Sequence, residues 1–278
     1  MKARPELVHR GRTLRDEIRT SATPQQAWAA WTDAAKIAQW FVDRAEGAPE
    51  VGSTFVWEFE RFGYKFPYQV IAAEAPHHFA LLAAPPGREP GILEINIASE
   101  GGETVIRLVN SGFAEGAEWD EEYQGVVSGW KMCLGVLKHY LERHFGEERA
   151  QFLAMRPAQF SYEQLAPYYR DARLLAEWLG TSGGIGEVGD AVALKLHDGE
   201  SLTGRVLART GWEVAVSWEE MNGTLELKGF SMGPGKRTLG LRGFGWGMDP
   251  ERAKAVEPRL AAALDRLAAR LESNDKGT

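Results

Sequence analysis

Long apolar runs are missing from this chain of 278 residues. No stretch approaches the roughly 20 residues that a helix needs to cross a bilayer. The opening residues, MKARPELVHRGRTLRDEIRTS, are charged and hold no apolar core, so no secretory signal is expected. Cysteine is almost absent. Cys133 stands alone, which rules out an internal disulfide and the cysteine-spaced zinc clusters. A lone thiol fits a reducing compartment, and the cytoplasm is the expected location. A basic excess is lacking too: Lys plus Arg number 32 against 39 Asp plus Glu, a net charge of −7. The densest charge cluster, Asp120-Glu121-Glu122, is acidic. Nucleic acid and anionic membrane surfaces are therefore poor partners, and the charge reads as a solubility feature.

Catalytic signatures are scarce as well. No Gly-x-Ser-x-Gly elbow occurs. Gly235-Lys236-Arg237 lacks the Ser or Thr that should follow the lysine of a phosphate loop. His77 and His78 are adjacent and point to opposite faces of a strand, and His139 and His144 are poorly spaced on a helix. The histidines are expected at the surface or satisfied by internal partners. No catalytic residue, metal site or cofactor follows from the residues.

What the chain does contain is a copy of itself. Residues 33–40, DAAKIAQW, lie opposite residues 171–178, DARLLAEW, at an offset of 138. Upstream, Thr23-Pro24-Gln25-Gln26 faces Ser161-Tyr162-Glu163-Gln164. Each reads as a capping box, a hydroxyl at the N-cap and a glutamine three residues on. Downstream, Gly52 matches Gly189, Val70 matches Val206, and Gly112-Phe113 matches Gly243-Phe244. Leu134, Leu137 and Leu141 match Leu264, Leu267 and Leu271, by which point the offset has fallen to 130. An ordered set of matches whose offset only shrinks indicates duplication.

The first copy begins with a strand over 14–22 and a capped helix, which Asp33-Ala34 divides in two. Phe55, Trp57 and Phe59 alternate along a strand, Arg61-Phe62-Gly63 turns, and Tyr64, Phe66, Tyr68 and Val70 alternate on the return. Strand-like runs follow at 77–83, 92–98 and 103–110, separated by Pro85-Pro86-Gly87 and Gly101-Gly102. A long helix, roughly 118–145, carries Trp130, Leu134, Leu137, Leu141 and Phe145 on one stripe, with charge expected on the other side. The second copy repeats the order. A strand covers 150–158; Val192, Leu194 and Leu196 alternate in another, and Trp212, Val214, Val216 and Trp218 in a third. Met221-Asn222-Gly223 and Gly233-Pro234-Gly235-Lys236 read as turns, and Gly243-Phe244-Gly245-Trp246-Gly247 as a strand-to-helix loop. A helix through Leu260, Leu264, Leu267 and Leu271 precedes a polar tail, Ser273–Thr278. The class is α+β: two tandem units, each a curved antiparallel sheet round a C-terminal helix, able to leave an apolar cavity between them.

Thr23-Pro24 before Trp28 and Trp31, Asp33-Ala34 before Trp40-Phe41, the Gly52-Ser53-Thr54-Phe55 strand, Glu74-Ala75-Pro76-His77, and Gly129-Trp130 opening the leucine-rich helix together resemble a known group. It is the helix-grip, START-like superfamily (SRPBCC), and within it the family of activators of heat-shock protein 90 ATPase. The resemblance covers 12–146; a second, diverged helix-grip domain is expected over 148–273. It implies a sheet–helix cavity for apolar small molecules. The eukaryotic activators carry a chaperone-binding domain ahead of this unit; nothing before residue 12 corresponds to it, so a chaperone partner is not expected.

Aromatics are the positive signal, with 10 Trp, 12 Phe and 7 Tyr. Large inward aromatics either fill a core or line a pocket, and both readings stand for the first copy. For the second copy a packed core is expected. The candidate ligand-binding residues are Trp40, Phe41, Trp57, Phe59, Phe66, Tyr68, Trp130 and Leu134. Tyr64 and Arg107 are further polar groups that a cavity or a protein partner can satisfy. The expected function is non-enzymatic binding of an apolar or aromatic small molecule. The alternatives are a cyclase- or hydrolase-type enzyme in the same cavity and a chaperone-linked interaction module.

Overall fold

Thr23 and Ser161 start equivalent helices by the same chemistry. The Thr23 hydroxyl accepts from the Gln26 amide at 3.2 Å, and the Gln26 side chain accepts from the Thr23 amide at 2.9 Å. Ser161 and Gln164 repeat the exchange at 3.2 and 2.7 Å. Each pair satisfies two amides that the first helical turn cannot. Asp33 and Asp171 then cap the next short helices, each accepting from the amides two and three residues on at 2.8 and 3.3 Å. Trp40 and Trp178 close the segment by donating from Nε1 to Ala30 and Tyr168 carbonyls at 2.9 and 3.1 Å. The duplication thus extends from residue matches to individual hydrogen bonds.

The computed structural model describes residues 7–85, 87–181, 183–231 and 236–275. The first repeat runs β1 (Arg12–Thr20), α1 (Pro24–Thr32), α2 (Ala34–Ala38), β2 (Arg44–Glu46), β3 (Thr54–Phe59), β4 (Tyr64–Glu74), β5 (His78–Ala83), β6 (Gly91–Glu100), β7 (Glu103–Phe113) and α3 (Asp120–Arg143). The second runs β8 (Arg149–Pro157), α4 (Tyr162–Leu165), α5 (Ala172–Ala176), β9 (Gly180–Thr181), β10 (Ala191–Leu196), β11 (Ser201–Arg209), β12 (Val214–Trp218), β13 (Gly223–Ser231), β14 (Arg237–Trp246) and α6 (Pro250–Asp275).

Each repeat builds one seven-stranded sheet. The orders, β1-β7-β6-β5-β4-β3-β2 and β8-β14-β13-β12-β11-β10-β9, are the same, and every pairing is antiparallel. Even the irregularities recur: the register shifts between Val70 and Ala72 and between Val206 and Ala208. These are bulges, which bend a strand and increase its twist. In the second repeat α6 packs on β8 and β14, and Leu260, Leu264, Leu267 and Leu271 join the core that holds Phe152, Trp218, Leu225 and Leu241.

The chain divides into two compact units, and α3 contributes to both. One unit comprises residues up to Val127 with Tyr140–Phe145; the other comprises Ser128–His139 and Gly146 onward. This corrects the expected charged side of α3. Met132, Gly135 and Val136 are buried as fully as Leu134 and Leu137. Within the second unit, a Cβ on Gly135 would lie 2.7 Å from the Ala208 side chain and 2.8 Å from the Leu207 carbonyl, so helix and strand meet backbone to backbone. Ser128 bonds Thr210 at 2.9 Å, and the His139 ring sits 5.8 Å from that of Trp246.

Three smaller expectations change. Gly243–Trp246 belongs to β14 and is no loop. Its glycines serve packing: a Cβ at Gly243 would overlap the Phe152 ring and the Thr224 carbonyl. Trp212 lies before β12 and stacks on Tyr162 at 4.5 Å. The tail from Ser273 to Asp275 is the end of α6. The Met221–Gly223 turn forms as expected, with Asn222 left-handed at φ 45°. The proposed turn at Gly233-Pro234-Gly235, and Pro86 in the earlier one, lie outside the described residues.

Candidate functional site

Alternation on β3 and β4 places Phe55, Trp57, Phe66, Tyr68 and Val70 on one face, because Phe55 faces Tyr68 and Trp57 faces Phe66 across the ladder. The turn after α2 adds Trp40 and Phe41. Their rings stack at 5.0 Å, and Phe41 meets Trp57 edge-on at 5.1 Å and Phe59 at 5.4 Å. Trp57 lies 4.8 Å from Tyr68, and Phe59 lies 6.0 Å from Phe66. These spacings are those of favourable aromatic pairs. The series continues outward from Phe66 to Tyr64 at 6.0 Å, and Tyr64 stacks on Phe62. Trp40 and Trp57 are 1% exposed, whereas Phe66 is 41% and Tyr64 49% exposed. One continuous aromatic face therefore runs from the core to solvent.

Six of the eight candidate residues, Trp40, Phe41, Trp57, Phe59, Phe66 and Tyr68, are brought together here. Trp130 and Leu134 are buried on the α3 segment that belongs to the second unit. Trp31, which edges Trp40 at 5.0 Å, belongs to the cluster as well.

Two polar atoms interrupt this apolar face. Trp57 Nε1 is buried and has no hydrogen-bond partner. An unpaired buried donor costs about 1–3 kcal/mol. Beside it, burial pushes the Tyr68 hydroxyl up to about 12, so the phenol stays protonated and able to donate. Tyr64 is exposed, as above. Arg107 instead lies among the charged side chains of β1 and β6, bonding Glu17 at 3.0 Å and Glu100 at 2.8 Å.

The remaining titratable groups have internal roles. His78 is buried and its Nε2 lies 2.9 Å from Glu94, whose other oxygen is 2.8 Å from His9. In the second unit Glu213, Glu226 and Lys228 form a buried ionic trio, with Lys228 Nζ 3.5 and 3.2 Å from the carboxylates and Ser128 donating to Glu213. Burial pushes Glu213 up; it opposes the charge of Glu226 too, but there Lys228 and Arg242 prevail and hold the carboxyl low. Burial also raises the Cys133 thiol to about 11, far from a reactive thiolate. No cluster of His, Cys, Asp and Glu able to hold a metal occurs among the described residues, and none of their helices is long and apolar enough to cross a membrane.

The second repeat combines a dense core with a groove of about 300 Å3 beside α6. Leu196, Trp218, Leu260 and Ala263 form its apolar walls, and His197 and Arg259 its rim. Arg259 is neutralised there by Asp198 and Glu200.

Twin seven-stranded antiparallel sheets, each with a long C-terminal helix, define a tandem START-like, helix-grip protein. Residues 21–142, most of the first repeat, match the family described as activator of Hsp90 ATPase homolog 1-like protein. Among solved structures, the chain resembles the Aha1 dimer of Colwellia psychrerythraea at 21% identity, covering 48% of this chain and 97% of that one, with a TM-score of 0.43. Two likenesses span both repeats. The di-domain ARO/CYC BexL from the BE-7585A biosynthetic pathway is 12% identical, covers 94% of this chain and 99% of its own, and has a TM-score of 0.43. DynU16, a putative protein of the dynemicin biosynthetic locus, is 16% identical over 93% and 98%, with a TM-score of 0.41. No curated protein matches the chain.

Proposed function

We propose that the first unit binds a planar aromatic or apolar small molecule bearing a hydrogen-bond acceptor, without transforming it. The carrying observation is the buried, unpartnered Nε1–H of Trp57 within an otherwise apolar aromatic face. A carbonyl or ether oxygen placed there would satisfy it, and the protonated Tyr68 hydroxyl offers a second donor 4.8 Å away, ring to ring. The exposed rings of Phe66 and Tyr64 offer a surface on which a flat molecule can stack. A cyclase using Tyr68 as a base would need it to lose its proton near neutrality, which a pKa of about 12 opposes.

The test is a titration with planar aromatic ketones, using the matching hydrocarbons as controls, read by melting temperature and tryptophan fluorescence. A ketone at one hundred times its Kd stabilises the protein by about 2.7 kcal/mol through linkage. Trp57→Phe should weaken ketone binding by about tenfold, a hydrogen bond's worth, and leave hydrocarbon binding unchanged. If no ketone shifts either signal, or if Trp57→Phe affects both series alike, the reading fails.

A further inference from the structure

Several arginines of this acidic chain face carboxylates, Arg12, Arg88, Arg156 and Arg270 among them. One groove gathers three cations without such a pairing. Lys131, Arg170 and Arg209 line a single groove of about 510 Å3 that lies wholly within the second unit, Lys131 coming from its α3 segment. Among the described residues, the exposed Lys131 and Arg170 side chains form no hydrogen bond or ion pair. Arg209 is part-buried, and its partners are three backbone carbonyls: Ile185 at 2.9 Å, Gly186 at 2.8 Å and Tyr169 at 3.2 Å. Those bonds fix the guanidinium, and among the described residues no carboxylate forms an ion pair with it. Burial lowers its proton affinity, Arg170 adds to the effect, and Glu187 works against it.

Glu187 is the one acid on the groove wall. Three cations against one carboxylate leave a local charge of +2 in a chain whose net charge is −7. A monoanion would neutralise half of that, whereas a dianion would neutralise all of it. Guanidinium forks suit planar or tetrahedral oxyanions, and a lysine adds a mobile point charge. Val188, 56% exposed on the same wall, offers an apolar surface to the remainder of a ligand.

We propose that this groove binds the dianionic head of a small organic molecule, a phosphate monoester or a dicarboxylate. A phosphate monoester carries about −1.5 to −2 at neutral pH, which matches the local charge. The site is independent of the aromatic face of the first unit, and aliphatic probes keep the two apart.

The test is calorimetric titration of the full chain at low salt with propyl phosphate and, separately, succinate. At least one should bind saturably. The double variant Lys131→Glu/Arg170→Glu should weaken that binding by about tenfold or more, and Glu187→Gln should strengthen it. Arg209 is left intact because its carbonyl bonds hold the loop. Both substituted cations are exposed and unpaired, so circular dichroism should show an unchanged fold. Saturation by propyl phosphate alone assigns a phosphate ester, by succinate alone a dicarboxylate, and by both a general dianion site. The proposal is overturned if neither probe saturates below about 10 mM, or if binding survives the double variant unchanged.

Discussion

Glu94 sits between two imidazoles, with His78 and His9 each within 3 Å of a different oxygen. The hydrogen bond from His78 is the main cause that holds its carboxyl at about 2, below the ordinary 4.5, against the opposing effect of burial. The native state therefore binds this proton less readily than the unfolded chain does. Its stabilisation is complete above about pH 4.5 and is lost as pH falls toward about 2. Glu94→Gln should cost about 1–3 kcal/mol at pH 6, because it removes a charged acceptor from the buried His78. Urea denaturation at pH 6 and pH 3 should show the gap between variant and wild type narrowing at the lower pH. A gap of constant size would mean that charge on Glu94 contributes nothing. This residue lay hidden in the sequence, where adjacent His77 and His78 were legible only as pointing opposite ways. The partner of His78 is set by the register of β5 on β6, with Ala80 facing Glu94.

Elements show the same division. Capping boxes, the Asp33 break and the β3–β4 alternation were legible because each depends on residues a few positions apart. The run Gly243–Gly247 was misread, since glycine signals both a turn and a close approach. Only the position of Phe152 on β8 shows that Gly243 serves the latter. Gly135 on α3 poses the question in a helix. Alanine there would gain about 1 kcal/mol of helix propensity. Its Cβ would also lie 2.7–2.8 Å from Ala208 and the Leu207 carbonyl. Overpacking against backbone costs about 1–3 kcal/mol, so the clash prevails. Gly135→Ala should lower the melting temperature. Gly129, whose Cβ would meet nothing within 4 Å, is the control, and its replacement by alanine should be neutral or stabilising. An equal response at both positions would remove the close contact from the account.

On the scale of the whole molecule, duplication did not yield two self-contained halves. The second unit includes Ser128–His139 from the helix of the first repeat. That segment supplies Ser128 to Glu213 and Thr210, and Gly135 to the β11 backbone. A fragment beginning at Gly146 would expose Ala208 and open the Glu213–Glu226–Lys228 trio, which Ser128 bonds, to water. One beginning at Asp120 would retain the cover. The longer fragment should be the more stable and soluble, as chemical denaturation and size-exclusion chromatography will show. Equal stability would mean that the helix segment is dispensable to that unit.

The sequence by itself determined the repeat, the strand and helix order, the caps and the aromatic stripe on β3 and β4. All of these are periodicities or short-range hydrogen bonds, written in neighbouring residues. Tertiary structure alone decided that Met132, Gly135 and Val136 of α3 are buried, that Trp57 holds an unpaired donor, and that Lys131, Arg170 and Arg209 share a groove. Those features depend on which distant faces meet. A packed surface is a relation between residues far apart in the chain, and no local period encodes it.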